Sequence, residues 1–136
     1  MPVNIVARQQ ITVGTEDFVE GAAPDGSFAV VFEDDGDTGY FYALDKSQSS
    51  QSIQDAMHIY NVANVTDKDL PSIVELGWSS DAHKAVLLIN DYAHAIFDFS
   101  AKRGYCRTGF PPPSESSGWQ GHDWDDFAFK LFAGES

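Results

Sequence analysis

Carboxylates crowd one short stretch of this sequence: Glu33, Asp34, Asp35 and Asp37, with Gly36 among them. Hard cations such as Ca²⁺ take several oxygens at close range, so the run invites a metal reading. The twelve-residue calcium loop ends on a bidentate Glu, and here the nearest positions hold Ser47 and Gln48. The spacing therefore points to an exposed hairpin tip that displays negative charge to a partner. The histidines, His58, His83, His94 and His122, are widely separated and form no i,i+4 pair. Each reads as a structural or surface residue, and neither metal nor cofactor is expected.

A second group could support nucleophilic chemistry. Cys106, the single cysteine, lies near Lys102, Arg103 and Arg107, whose charge would favour thiolate. His94, on the preceding predicted strand, could pair with it across the ladder. No orienting third residue or oxyanion motif accompanies them, so a buried, structural cysteine is the expectation. Cys106, His94 and Arg107 stand as the alternative site, that of a small-ligand-binding or enzymatic domain with a pocket between helix and sheet. The same cations, with Tyr105 and Phe110, make a basic-aromatic cluster too small for a nucleic-acid site in so acidic a chain. Tyr40, Tyr42, Tyr92, Tyr105, Trp119 and Trp124 exceed what a small core easily hides, and divide between sheet caps and interface anchors.

These residues need a scaffold, and composition bounds it. The chain has 136 residues, 43% hydrophobic and 13% aromatic, enough for one ordered domain without a staple. Eight Lys and Arg against 21 Asp and Glu leave a formal charge of −13. Such a field repels nucleic acid and anionic membranes, and steers basic proteins inward. It also serves plain solubility. The opening residues show no basic region followed by an apolar run, so a cytoplasmic protein is expected. A chain already stripped of a leader reads the same way.

The apolar runs Ala85 to Ile89 and Ala93 to Phe99 flank Asn90-Asp91 and predict a central hairpin. In its second strand Ala93, Ala95, Phe97 and Phe99 share one face, and Tyr92, His94, Ile96 and Asp98 the other. Ser27 to Glu33 and Gly39 to Leu44 predict another hairpin, with Phe28, Val30 and Phe32 on one face. Ser72 to Trp78 and Tyr105 to Phe110 read as further strands. Gln10 to Val13 and Asp17 to Glu20 together read as one edge strand. Ile53, Ala56, Met57, Tyr60 and Ala63 fall at helical spacing, which predicts an amphipathic helix from Ser50 to Val62. Residues 111–121, rich in Pro, Ser and Gly, form a linker within the domain. His122 to Phe132 fits a short C-terminal helix, and also an alternating strand. The expected fold is a single α+β domain over residues 1–136, with a mainly antiparallel sheet of about five or six strands.

The stretches Phe32-Glu33-Asp34-Asp35-Gly36-Asp37-Thr38-Gly39-Tyr40-Phe41-Tyr42-Ala43 and Tyr105-Cys106-Arg107-Thr108-Gly109-Phe110-Pro111 accompany the central hairpin. Together they resemble a family of small bacterial domains of unknown function, over about Ser27 to Pro111. The resemblance implies a bacterial origin and brings no agreed activity, so it transfers no catalytic residue. The functional expectation is a non-enzymatic acidic binding protein, of the immunity or antitoxin kind, neutralising a basic partner protein. Glu33, Asp34, Asp35, Asp37, Tyr40 and Tyr42 are its expected contacts.

Overall fold

Asn90 and Asp91 both adopt left-handed dihedrals, with φ of 52° and 67°, as a two-residue type I′ reversal demands. They join the central hairpin in a computed structural model that describes residues 4–24, 26–45, 53–66, 69–79, 82–108 and 118–124. The described residues form nine strands: β1 (Asn4–Ile11), β2 (Asp17–Ala22), β3 (Phe28–Asp34), β4 (Thr38–Asp45), β5 (Ile53–Asn61), β6 (Ser72–Trp78), β7 (Lys84–Ile89), β8 (Tyr92–Asp98) and β9 (Arg103–Cys106). The one helical element among them is a 3₁₀ turn, Val62–Asn64. No helix among the described residues is long and apolar enough to cross a membrane.

The strands make two antiparallel sheets, ordered β1-β6-β7-β8-β9 and β2-β3-β4-β5. The chain starts in the first sheet, builds the whole second sheet, then returns to pair β6 with β1. Inward side chains of both sheets share one core, including Phe32, Phe41 and Met57 on one side and Leu76, Leu87 and Phe97 on the other. Phe41 stacks on Phe97 across the gap with ring centroids 4.9 Å apart. This is a β-sandwich, the arrangement that buries one apolar face of each sheet.

The α+β expectation is therefore corrected: there are two sheets, and the amphipathic helix predicted over Ser50 to Val62 is strand β5 where it is described. Its residues alternate, with Asp55, Met57 and Ile59 inward. The inward carboxylate hid this alternation. Asp55 is satisfied by His122, whose Nε2 lies 2.6 Å from Oδ2 with both groups buried. The predicted C-terminal helix fails at its start, because Asp123 makes a parallel bridge with Cys106. Its remainder, residues 125–132, lies outside the described residues, as do residues 111–117 of the expected linker. Residues 118–123 run along β9: the Gln120 N–H donates to Lys102 O, Gly104 to Gly121 O and Cys106 to His122 O. That coverage closes an edge otherwise open to strand pairing. The single edge strand expected near the start is two strands, β1 and β2, placed in different sheets.

Strand β8 departs from simple alternation. Leu87 pairs with Ala95 and Leu88 with Ala93, so His94 is the extra residue of a β-bulge. Ala93 then packs with Val86 and Ile96 in a second apolar cluster, while Ala95 and Phe97 stay in the main core. The shared face predicted for Ala93, Ala95, Phe97 and Phe99 is thus broken at its first member.

Candidate functional site

The β3–β4 turn sets the site's polarity by sending successive carboxylates to opposite sides. Asp34 continues the inward series Phe28, Val30, Phe32 and is fully buried. Its Oδ2 accepts from the Gly14 N–H at 2.8 Å and the Tyr60 hydroxyl at 2.7 Å, and its Oδ1 from the Gly36 N–H at 2.8 Å. Burial and the adjacent Asp34 charge hold the Tyr60 hydroxyl far above its ordinary pKa. Asp34 is therefore a structural knot joining the β1–β2 turn, the β3–β4 turn and β5, removed from any surface contact. Asp35 is exposed, and its Oδ1 accepts from the N–H groups of Asp37 and Thr38. Those bonds, Thr38 first, hold its carboxyl below the usual range. Glu33 and Asp37 are exposed as well.

The outer face of the four-stranded sheet is built by register. Cross-strand rows read Phe18, Glu33, Tyr40, His58, then Glu20, Val31, Tyr42, Ala56. A third row carries Leu44 beside Ile53. Phe18, Val31, Tyr42, Leu44 and Ile53 line a shallow groove of about 360 Å³ with Glu33 at its side. Phe18 and Ile53 are each 59% exposed. Tyr40 stacks on Tyr42 at 5.9 Å and meets the His58 ring edge-on at 5.5 Å. Partial burial, then the charges of Glu33 and Asp35, raise the Tyr42 pKa. Strands β2 to β5 contain no Lys or Arg. The described cations Arg8, Lys84 and Arg103 lie in strands of the other sheet, with Lys102 and Arg107 in its flanking turns. Among the described residues the sandwich is accordingly polarised, with the strands of one sheet carrying carboxylates and no Lys or Arg.

The sequence flagged Tyr40, Tyr42 and the acidic turn, which this face brings together apart from Asp34. Phe18, Val31, Leu44 and Ile53 were missed. Each is an apolar residue on a strand, and only cross-strand register shows that they meet on the solvent side.

The alternative site does not assemble. Cys106 is buried, and its thiol bonds the His58 carbonyl at 3.1 Å and the Thr108 hydroxyl at 3.3 Å. The Thr108 hydroxyl donates to the same carbonyl at 2.7 Å. These contacts tie β9 to β5 across the sheet seam. Arg107 donates from Nε to Ala93 O and lies over the rings of Tyr92 and Trp124 at 4.5 and 4.0 Å. His94 is not a partner of the thiol: it meets Tyr92 edge-on and faces a separate cavity. Of the aromatics counted as surplus, Trp119 is buried against Phe97 and Phe99, and Tyr92 is exposed. Among the described residues no group of three or more His, Cys, Asp or Glu could hold a metal ion.

No solved structure matches the chain. A protein of Haemophilus influenzae, titled "Uncharacterized protein", is 47% identical over 92 residues, 68% of this chain and 57% of that protein. The chain thus spans a little over half the length of this relative. Residues 11–133 match the family described as "Uncharacterized protein conserved in bacteria (DUF2251)". With nine strands of the sandwich falling wholly or partly within that match, the chain belongs to this DUF2251 family of bacterial proteins.

Proposed function

We propose that the protein is a non-enzymatic binding protein that engages a basic protein through the outer face of β2 to β5. One observation carries the reading: an aromatic and aliphatic groove lies on a sheet whose strands hold no cation and whose rim carries Glu20, Glu33, Asp35 and Asp37. Aromatic anchors beside carboxylates suit a partner that brings Lys or Arg over an apolar patch. Masking the cationic surface of a nuclease-like toxin would be an immunity or antitoxin role, exercised in the cytoplasm.

The test starts with affinity capture from lysate of the source bacterium at low and high salt, followed by kinetics with each purified partner. Glu33→Gln, Asp35→Asn and Asp37→Asn together should slow association several-fold and flatten its salt dependence. Phe18→Ala should speed dissociation on the order of tenfold, as loss of an anchor does. Recovery of no basic partner, or of one indifferent to both variants, would overturn the reading. So would a neutral or acidic partner.

A further inference from the structure

We propose that the cavity beside the β7–β8 turn binds an uncharged, mainly apolar small molecule that carries a carboxamide. This site is independent of the outer face discussed above. Its volume is about 470 Å³, within the range of ligand pockets and large enough for on the order of 15 water-sized groups.

One side of the cavity is held before any ligand arrives. Val13 and Ile89 are buried at 8% exposure each, and Leu70 is 62% exposed; all three line the cavity. The Tyr60 ring forms another wall, and its hydroxyl is held by Asp34. Asn90 is clamped to β6: its backbone N–H donates to Ile73 O, and its Oδ1 accepts from the Ile73 N–H, both at 2.9 Å. Preorganised walls lower the ordering cost of binding. The bulge does the remaining positioning. An extra residue takes the His94 side chain out of strand alternation and sets it on the cavity wall.

The lining decides the ligand's chemistry. Thr66, Ser72, Asn90 and His94 are polar, and no charged side chain lines the cavity among the described residues. Among the described residues an anion would find no cation in the lining, in a chain of net charge −13. Arg107 is engaged elsewhere, on Ala93 O and two aromatic rings. A cation would find no carboxylate among the described lining residues, and Asp34 sits behind Tyr60 with three donors on it. Burial and the Arg107 charge lower the His94 pKa to about 4, so the imidazole is neutral at pH 7. The Asn90 NH₂, the Thr66 and Ser72 hydroxyls and the neutral His94 ring can each donate, and the hydroxyls and the ring can also accept. A carboxamide, which accepts through its oxygen and donates through its NH₂, complements such a set.

The experiment titrates the full chain with hexanamide, hexanoate and hexylammonium while recording ¹H–¹⁵N spectra. Hexanamide should give saturable shifts at Thr66, Ser72, Asn90 and His94. The two ions should bind roughly tenfold or more weakly, because no described residue of the lining supplies a counter-ion. Thr66→Trp, at an exposed position on the rim, should abolish the hexanamide shifts while leaving the melting temperature unchanged. His94→Leu should weaken hexanamide several-fold, and His94→Gln, which keeps a donor, should restore much of the loss. Equal binding of the three probes, shifts confined to β2 to β5, or no saturable shift with hexanamide would overturn the proposal.

Discussion

Replacing the buried carboxylate at Asp34 should unfasten three parts of the sandwich at once. Its oxygens receive two backbone N–H groups, from Gly14 and Gly36, and the Tyr60 hydroxyl, all within 2.8 Å. Gly14 and Gly36 hold φ of 91° and 100°, a left-handed backbone that the carboxylate pins in place. A buried donor left without its acceptor costs about 1–3 kcal/mol, and the loss of several is softened where water enters. Asp34→Ala should therefore cost about 3–5 kcal/mol, a large part of the 5–15 kcal/mol typical of a domain. Tyr60→Phe removes one bond and should cost about 1–2 kcal/mol. Asp34→Asn keeps the size but points an NH₂ at a donor, and should cost about 2–4 kcal/mol. Urea unfolding of the single and double variants at pH 7 gives the coupling, expected at about 1 kcal/mol or more. Amide exchange at Gly14 and Gly36 should quicken in Asp34→Asn before the rest of the sheet responds. Additivity within about 0.3 kcal/mol, or an Asp34→Asn cost below about 0.5 kcal/mol, would refute the knot.

Stability should also fall in mild acid through His94. Its folded-state pKa, about 4, lies below the ordinary 6.5, so the unfolded chain binds the proton first. The loss begins as pH drops through 6.5, is complete below about 4, and amounts to at most about 3 kcal/mol; His94→Gln should flatten the curve of unfolding free energy in that window. Gly104→Ala would set a methyl 2.8 Å from both the His122 ring and the Met57 sulfur. It should cost about 1–3 kcal/mol by urea unfolding and loosen the 118–123 segment, seen as faster amide exchange at Cys106. Phe97→Ala, which removes the ring stacked on Phe41 and edged by Trp119, should cost about 3–5 kcal/mol in the same assay. Cys106→Ala should cost about 1–2 kcal/mol, and the native thiol should alkylate far more slowly than the unfolded one.

Local chemistry determined much of the molecule. Asn90-Asp91, Asp34 to Gly39 and the Pro-containing turn after β2 each encode their reversal in two to six residues, so both hairpins were legible. Strand β6, Ser72–Trp78, was read to the residue from its alternation. The inward course of Asp34 was not read: it lies two residues beyond Phe32 on the same face, but the crowd of neighbouring carboxylates assigned it to the exposed turn. The acidic turn and the pair Tyr40, Tyr42 were visible, being local.

Tertiary structure decided the rest. Asp55 reads as a surface residue until His122, 67 positions away, supplies the partner that lets it point inward, and without that partner β5 keeps a helical pattern. His94 leaves its expected face because a single inserted residue shifts the β7–β8 register, which nothing in the spacing of β8 announces. Phe18 and Ile53 line one groove from strands at opposite edges of their sheet, distant in sequence. The division of nine strands between two sheets follows from which apolar faces can cover one another, a free energy summed over the whole core, and no single segment of the chain contains it.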